Sequence, residues 1–203
     1  MRIKEFIIDE EIAKLKSPIS IDKKSKKLKL LPGGSRSKVY HIVKNDKVIK
    51  IWRMGDPQND AYLKWIEKVK DLSSNPFLPK VHNIKIYSSP NKINPEKTDY
   101  QGIVIMEKLE PLSKFPDSIL LPLFRKTGIQ LRSRIRFLST QWTRENLELL
   151  KSEVTDPNLH QALSLVSEIL AKLPHASGDL HTGNWMVRKD KENIHLVLTD
   201  PVV

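Results

Sequence analysis

The chain has 203 residues, of which 35 are lysine or arginine and 24 are aspartate or glutamate, giving a formal net charge of +11 at pH 7. That length carries one sizeable core or two small lobes. Cysteine is absent, which excludes disulfides and thiolate metal centres and fits a cytoplasmic protein. There is no run of about 18 apolar residues, and the charged start Met1-Arg2-Ile3-Lys4 does not read as a signal peptide, so a soluble chain without a membrane partner is expected. The basic balance favours acidic partners. Acidic protein surfaces, nucleic acid and nucleotide phosphates all fit it, and charge alone does not choose among them.

Residues 1–26 open with a helical pattern of Phe6, Ile7, Ile12, Ala13 and Leu15, ended by Pro18, and continue as a lysine-rich arm. The alternation from Lys27 to Leu31 predicts a first strand. A turn over Pro32-Gly33-Gly34-Ser35-Arg36-Ser37 leads to a second strand, Lys38 to Val43, and the Asn45-Asp46 turn to a third, Lys47 to Trp52. Ala61, Trp65, Val69 and Leu72 recur at helical spacing, and Asn75-Pro76 and Pro79 close that helix. Val81 to Tyr87 alternates as a strand, 88–99 reads as a polar loop, and the apolar run Gly102 to Met106 predicts a buried strand.

From Ser118 to Arg144 there is no acidic residue. Leu131, Ile135 and Leu138 share a helical face with Arg132 and Arg136 turned away from it, which predicts a basic amphipathic helix. Such a helix either docks an acidic partner or is a solvated outer face. Asp156-Pro157 supplies an N-cap and a first-turn proline for a helix to Leu173. Its stripe of Leu159, Ala162, Leu163, Val166, Ile169, Leu170 and Leu173 reads as core.

The stretch that carries chemistry is Ser177-Gly178-Asp179-Leu180-His181-Thr182-Gly183-Asn184, followed by the hydrophobic run Ile194 to Thr199 and then Asp200. An aspartate, an asparagine five positions on, and a second aspartate at a strand end suit phosphoryl transfer. One carboxylate orients the attacking hydroxyl or accepts its proton, while Asn184 and Asp200 are hard oxygen ligands for magnesium at phosphate. SGDLHTGNWMVR followed by VLTDP resembles the kinase-like superfamily, in the D-L-H-x-G-N form typical of aminoglycoside and choline phosphotransferases. Over residues 27–203 it most resembles the early serine/threonine kinases of podophages.

The resemblance implies an α+β, two-lobed protein-kinase-like fold. An antiparallel-sheet N-lobe would span 27–106, a hinge and reduced, mostly helical C-lobe 107–203, with the helix and arm of 1–26 in front. It implies ATP and Mg2+ as cofactors, Asp179 as catalytic base, and Lys50 of Val48-Ile49-Lys50-Ile51 as the contact to the α and β phosphates. Gly33, Gly34 and Ser35 would lie over the phosphates, although the full G-x-G-x-x-G is missing. Glu67 is the expected partner of Lys50, with Asp60 the other candidate, and the hinge would run from Glu107 through Pro111, its backbone carrying the adenine at Glu107 and Leu109. His181 stands where protein kinases often place a lysine, and reads either as a proton donor or phosphate contact or as a histidine bonded within its loop.

Three departures accompany the likeness. Ser177 replaces a frequent histidine, Asp200 is followed by Pro201-Val202 instead of Phe-Gly, and no activation loop follows before Val203. The expectation is either a minimal serine/threonine protein kinase acting on protein substrates in the (host) cytoplasm, with self-phosphorylation at Ser35 or Ser37, or a kinase-like fold that has lost activity. The rivals are a small-molecule phosphotransferase and a silent module that binds an acidic host protein or RNA.

Overall fold

Alternating apolar segments in the first half of the chain build a five-stranded sheet. The computed structural model describes residues 28–32, 37–91, 93–128, 144–190 and 193–203. Strands β1 (Leu28–Leu31), β2 (Ser37–Ile42), β3 (Lys47–Met54), β4 (Val81–Pro90) and β5 (Thr98–Glu107) lie in the order β1-β2-β3-β5-β4. The first three pair antiparallel, with Tyr40 opposite Ile49 and Val39 opposite Lys50. Because side chains alternate along each strand, this register gathers Tyr40, Ile42, Ile49, Ile51, Ile103 and Ile105 into one cluster, with Leu28 and Tyr87 packed against it. The other face of β3 is covered as well. Trp52 lies so close over Gly102 that a Cβ there would overlap the indole.

The chain divides into two compact units, Met1–Asp56 with Asn83–Met106, and Pro57–His82 with Glu107–Val203. In the second, α1 (Ala61–Asp71) starts at Asp60, whose Oδ1 accepts the Leu63 N–H at 2.7 Å. It buries Leu63, Trp65, Ile66 and Val69. Further on come β6 (Glu110–Pro111), α2 (Asp117–Lys126), α3 (Arg144–Glu153) and α4 (Pro157–Lys172). The last strands, β7 (Trp185–Asp190) and β8 (Asn193–Leu198), complete a three-stranded sheet in the order β6-β7-β8. Helices α1 and α3 pack on α4. The Asp156 carboxylate caps α4 by accepting the Asn158 and Leu159 N–H groups at 2.8 and 3.2 Å. Six residues of the expected stripe, Leu159, Ala162, Leu163, Val166, Ile169 and Leu170, are buried. Leu173 instead ends the helix as its C-cap.

Five segments differ from the sequence expectation. Strands β4 and β5 run further toward each other, because Asn91 closes the connection. Its N–H donates to the Lys97 carbonyl at 2.8 Å, its Oδ1 accepts the Ile93 and Asn94 N–H groups, and its Nδ2 donates to Asp99. Glu110 and Pro111, expected as hinge, form β6 and pair with Val187 and Met186 of β7. Helices α2 and α3 were not expected, and of the apolar residues of α3 only Leu147 and Leu150 are buried. The helix and arm of 1–26, the loop residues Gly33, Gly34 and Ser35, and the basic helix around Leu131, Ile135 and Leu138 lie outside the described residues. Among the described residues no helix is long and apolar enough to cross a membrane.

Candidate active site

The register of the β7–β8 hairpin builds the site. Trp185 lies opposite Leu198, so Asn184, just before β7, meets Thr199, just after β8. Thr199 donates twice to the Asn184 carbonyl, from its N–H at 2.9 Å and its hydroxyl at 3.0 Å. Asp200 therefore follows a residue latched to Asn184. A second, shorter ladder brings the chain end back along the loop. Gly178 bridges Val202, Ser177 and Val203 exchange backbone bonds of 2.8 and 3.0 Å, and the Asp179 N–H donates to the Pro201 carbonyl at 2.7 Å. Asn184 closes the circuit, its Nδ2 donating to the Asp179 carbonyl at 2.7 Å. Asp179, Asn184 and Asp200 thus belong to one hydrogen-bonded loop.

Apolar anchors hold that loop. Pro174 cannot continue the helical ladder after α4. Beyond it Leu180, Trp185 and Val202 are buried, and the Trp185 Nε1–H donates to the Leu180 carbonyl at 3.3 Å. The Asp179 side chain remains 37% exposed. With its NH2 group committed to Asp179, buried Asn184 has Oδ1 as its remaining pole, a hard oxygen donor like the Asp200 carboxylate. Among the described residues no group of three or more His, Cys, Asp and Glu is assembled for a metal. An amide and a carboxylate are instead the sparse donor set that suits magnesium carried with phosphate oxygens.

His181 is bonded within its own loop. Its Nδ1 accepts the Gly183 N–H at 2.9 Å, which places the proton of the neutral ring on Nε2, 3.4 Å from Asp179 Oδ1. Gly183 makes this approach feasible, since a Cβ at that position would sit 2.6 Å from the imidazole. Asp200 also marks its surroundings electrostatically. The phenol of buried Tyr62 on α1 is pushed well above its ordinary range, first by burial and then by the negative charges of Asp200 and Asp60.

The other predicted residues are distributed as follows. Lys50, in the first unit, is 9% exposed on β3. Glu67 is exposed on α1, with Lys64 4.0 Å away, and Asp60 is the cap of that helix. Leu109 is buried between β5 and β6. Glu107 closes β5, and its N–H donates to the Lys80 carbonyl at 3.0 Å. Its carboxylate accepts the Lys80 N–H at 2.7 Å and the Arg188 Nε–H at 2.9 Å, with a second bond from Arg188 Nη2 to Oε1. Sequence reasoning missed Arg188, Thr199 as the latch on Asn184, and Tyr62. An arginine between Val187 and Lys189 in a strand was the only signal for the first. Models of known protein families and curated proteins were both searched, and neither search found a match to the chain.

Proposed function

We propose that the chain is a kinase-like phosphotransferase that transfers the γ-phosphate of ATP, with magnesium, to serine or threonine hydroxyls of proteins. The observation that supports this reading is the single hydrogen-bonded loop joining Asp179, Asn184 and Asp200. Asp179, partly exposed, orients the substrate hydroxyl and takes its proton as the oxygen–phosphorus bond forms and the bond to the β-phosphate oxygen breaks, releasing ADP. His181, with Nε2–H toward Asp179, steadies that carboxylate. Asn184 through Oδ1 and Asp200 through its carboxylate would hold magnesium, which when bound neutralises phosphate charge. The phosphate contacts of Lys50, Gly33, Gly34 and Ser35 and the adenine contacts at Glu107 and Leu109 rest on the resemblance.

The test is incubation of the chain with labelled ATP, magnesium and a cell extract, beside Asp179→Ala. Label should appear on protein serine and threonine, and the variant should lose at least about 100-fold in rate with an unchanged circular dichroism spectrum. A loss under about tenfold, roughly 1.4 kcal/mol of barrier, removes Asp179 from the reaction. Label found only on low-mass compounds moves the reading to small-molecule transfer.

A further inference from the structure

The β7–β8 hairpin grips three successive carbonyls of the segment after α1. Arg188 Nη1 donates to Pro76 at 2.8 Å, the Leu198 N–H donates to Phe77 at 2.8 Å, and Arg188 Nη2 donates to Leu78 at 2.7 Å. The same guanidinium, 7% exposed, holds both oxygens of Glu107. A planar fork used this way fixes direction as well as distance, which a lysine cannot do. Two residues beyond Glu107 lies Leu109. Four residues before Arg188 lies Asn184. The ion pair therefore links the residue that opens the backbone of 107–109 to the strand that begins just after Asn184, the candidate magnesium ligand.

We propose that Arg188 is a positioning residue for nucleotide binding. By saturating the Glu107 carboxylate, it holds the backbone from Glu107 to Leu109 at a fixed place relative to Asn184 and Asp200, so that base and phosphates are bound together. The inference rests on the reading above, in which that backbone carries the adenine. It predicts that the pair governs affinity for the base and leaves affinity for the phosphates unchanged, a split that a merely structural ion pair would not produce.

The test uses the whole chain carrying Arg188→Met and Glu107→Met together, because removing both charges avoids stranding one of them in the interior. Binding of magnesium-ATP and of magnesium with inorganic tripolyphosphate is measured beside thermal melting. In the folded double variant the dissociation constant for ATP should rise about tenfold, while that for tripolyphosphate stays within about twofold. Arg188→Lys, which keeps the charge and loses the fork, should fall between. Unchanged ATP affinity in a folded variant overturns the inference. Should neither variant fold, hydrogen exchange on the unaltered chain decides. ATP, but not tripolyphosphate, should slow the Lys108 and Leu109 amides, and equal rates with both overturn the inference. If the unaltered chain prefers ATP to tripolyphosphate by nothing, the nucleotide reading itself fails, which is a different result from a variant that binds like the parent.

Discussion

Glu107 and Glu168 each accept from two residues of the second unit, yet one closes a buried strand and the other stands on a helix surface. Glu107 meets Arg188 and the Lys80 N–H, with the two charged side chains 15% and 7% exposed. Glu168 on α4 meets Lys172 at 2.6 Å and Lys68 of α1 at 3.4 Å, with side-chain exposures of 43%, 68% and 52%. In the first case water cannot replace a lost partner, so each group depends on the others. In the second it can, and salt screens what attraction remains. The difference separates a pair that fixes the fold from a pair that decorates it.

The strongest test of this contrast is Arg188→Ala. It strands the Glu107 carboxylate and removes the donors to the Pro76 and Leu78 carbonyls, and should cost about 3–5 kcal/mol in urea unfolding. A loss below about 1 kcal/mol would place Arg188 with the surface pairs and dissolve the distinction.

A neutral group extends the comparison. Buried Asn75 donates through Nδ2 to the Asn158 carbonyl at 2.8 Å and to Gln161 Oε1 at 2.9 Å, and accepts the Phe77 N–H at 2.9 Å. It thereby ties to α4 the same segment whose carbonyls Arg188 holds. Asn75→Ala should cost about 1–3 kcal/mol by the same measurement, less than Arg188→Ala, because the groups left unpaired are uncharged. An equal or larger loss would show that burial, with no contribution from charge, sets the scale.

These contacts also mark where the sequence could and could not be read. Asp156-Pro157 announces α4 through side-chain chemistry that acts within a few residues, and the cap forms as expected. The bond from Asn184 Nδ2 to the Asp179 carbonyl is as local, spanning five residues, although the sequence offered only the spacing and not the contact. The closure of that loop on Val202 and Val203 was not legible, since backbone-to-backbone bonds leave no signature in residue type. Thr98 to Gln101 extend β5 without apolar alternation, because the turn built on Asn91 delivers them to the ladder. Glu107 and Arg188 lie 81 residues apart, and neither carries anything that names the other.

The smallest effect belongs to Glu168→Gln. Hydrogen bonds from Lys172 and then Lys68 hold the Glu168 carboxyl below its ordinary range. A carboxyl whose folded value is depressed binds its proton more readily in the unfolded chain. Its contribution to stability is therefore present above the ordinary carboxylate range and disappears as pH falls through the lowered value. Unfolding of the parent and of Glu168→Gln by urea should thus differ slightly, in favour of the parent, at neutral pH and low salt. The two curves should superimpose once the pH lies below the lowered value, and also in roughly 1 M salt at neutral pH, where the screening length is about 3 Å. A difference that survives both acid and salt would mean that Glu168 supports the packing of α1 on α4 by more than its charge, and would bring it closer to Glu107 than its exposure suggests.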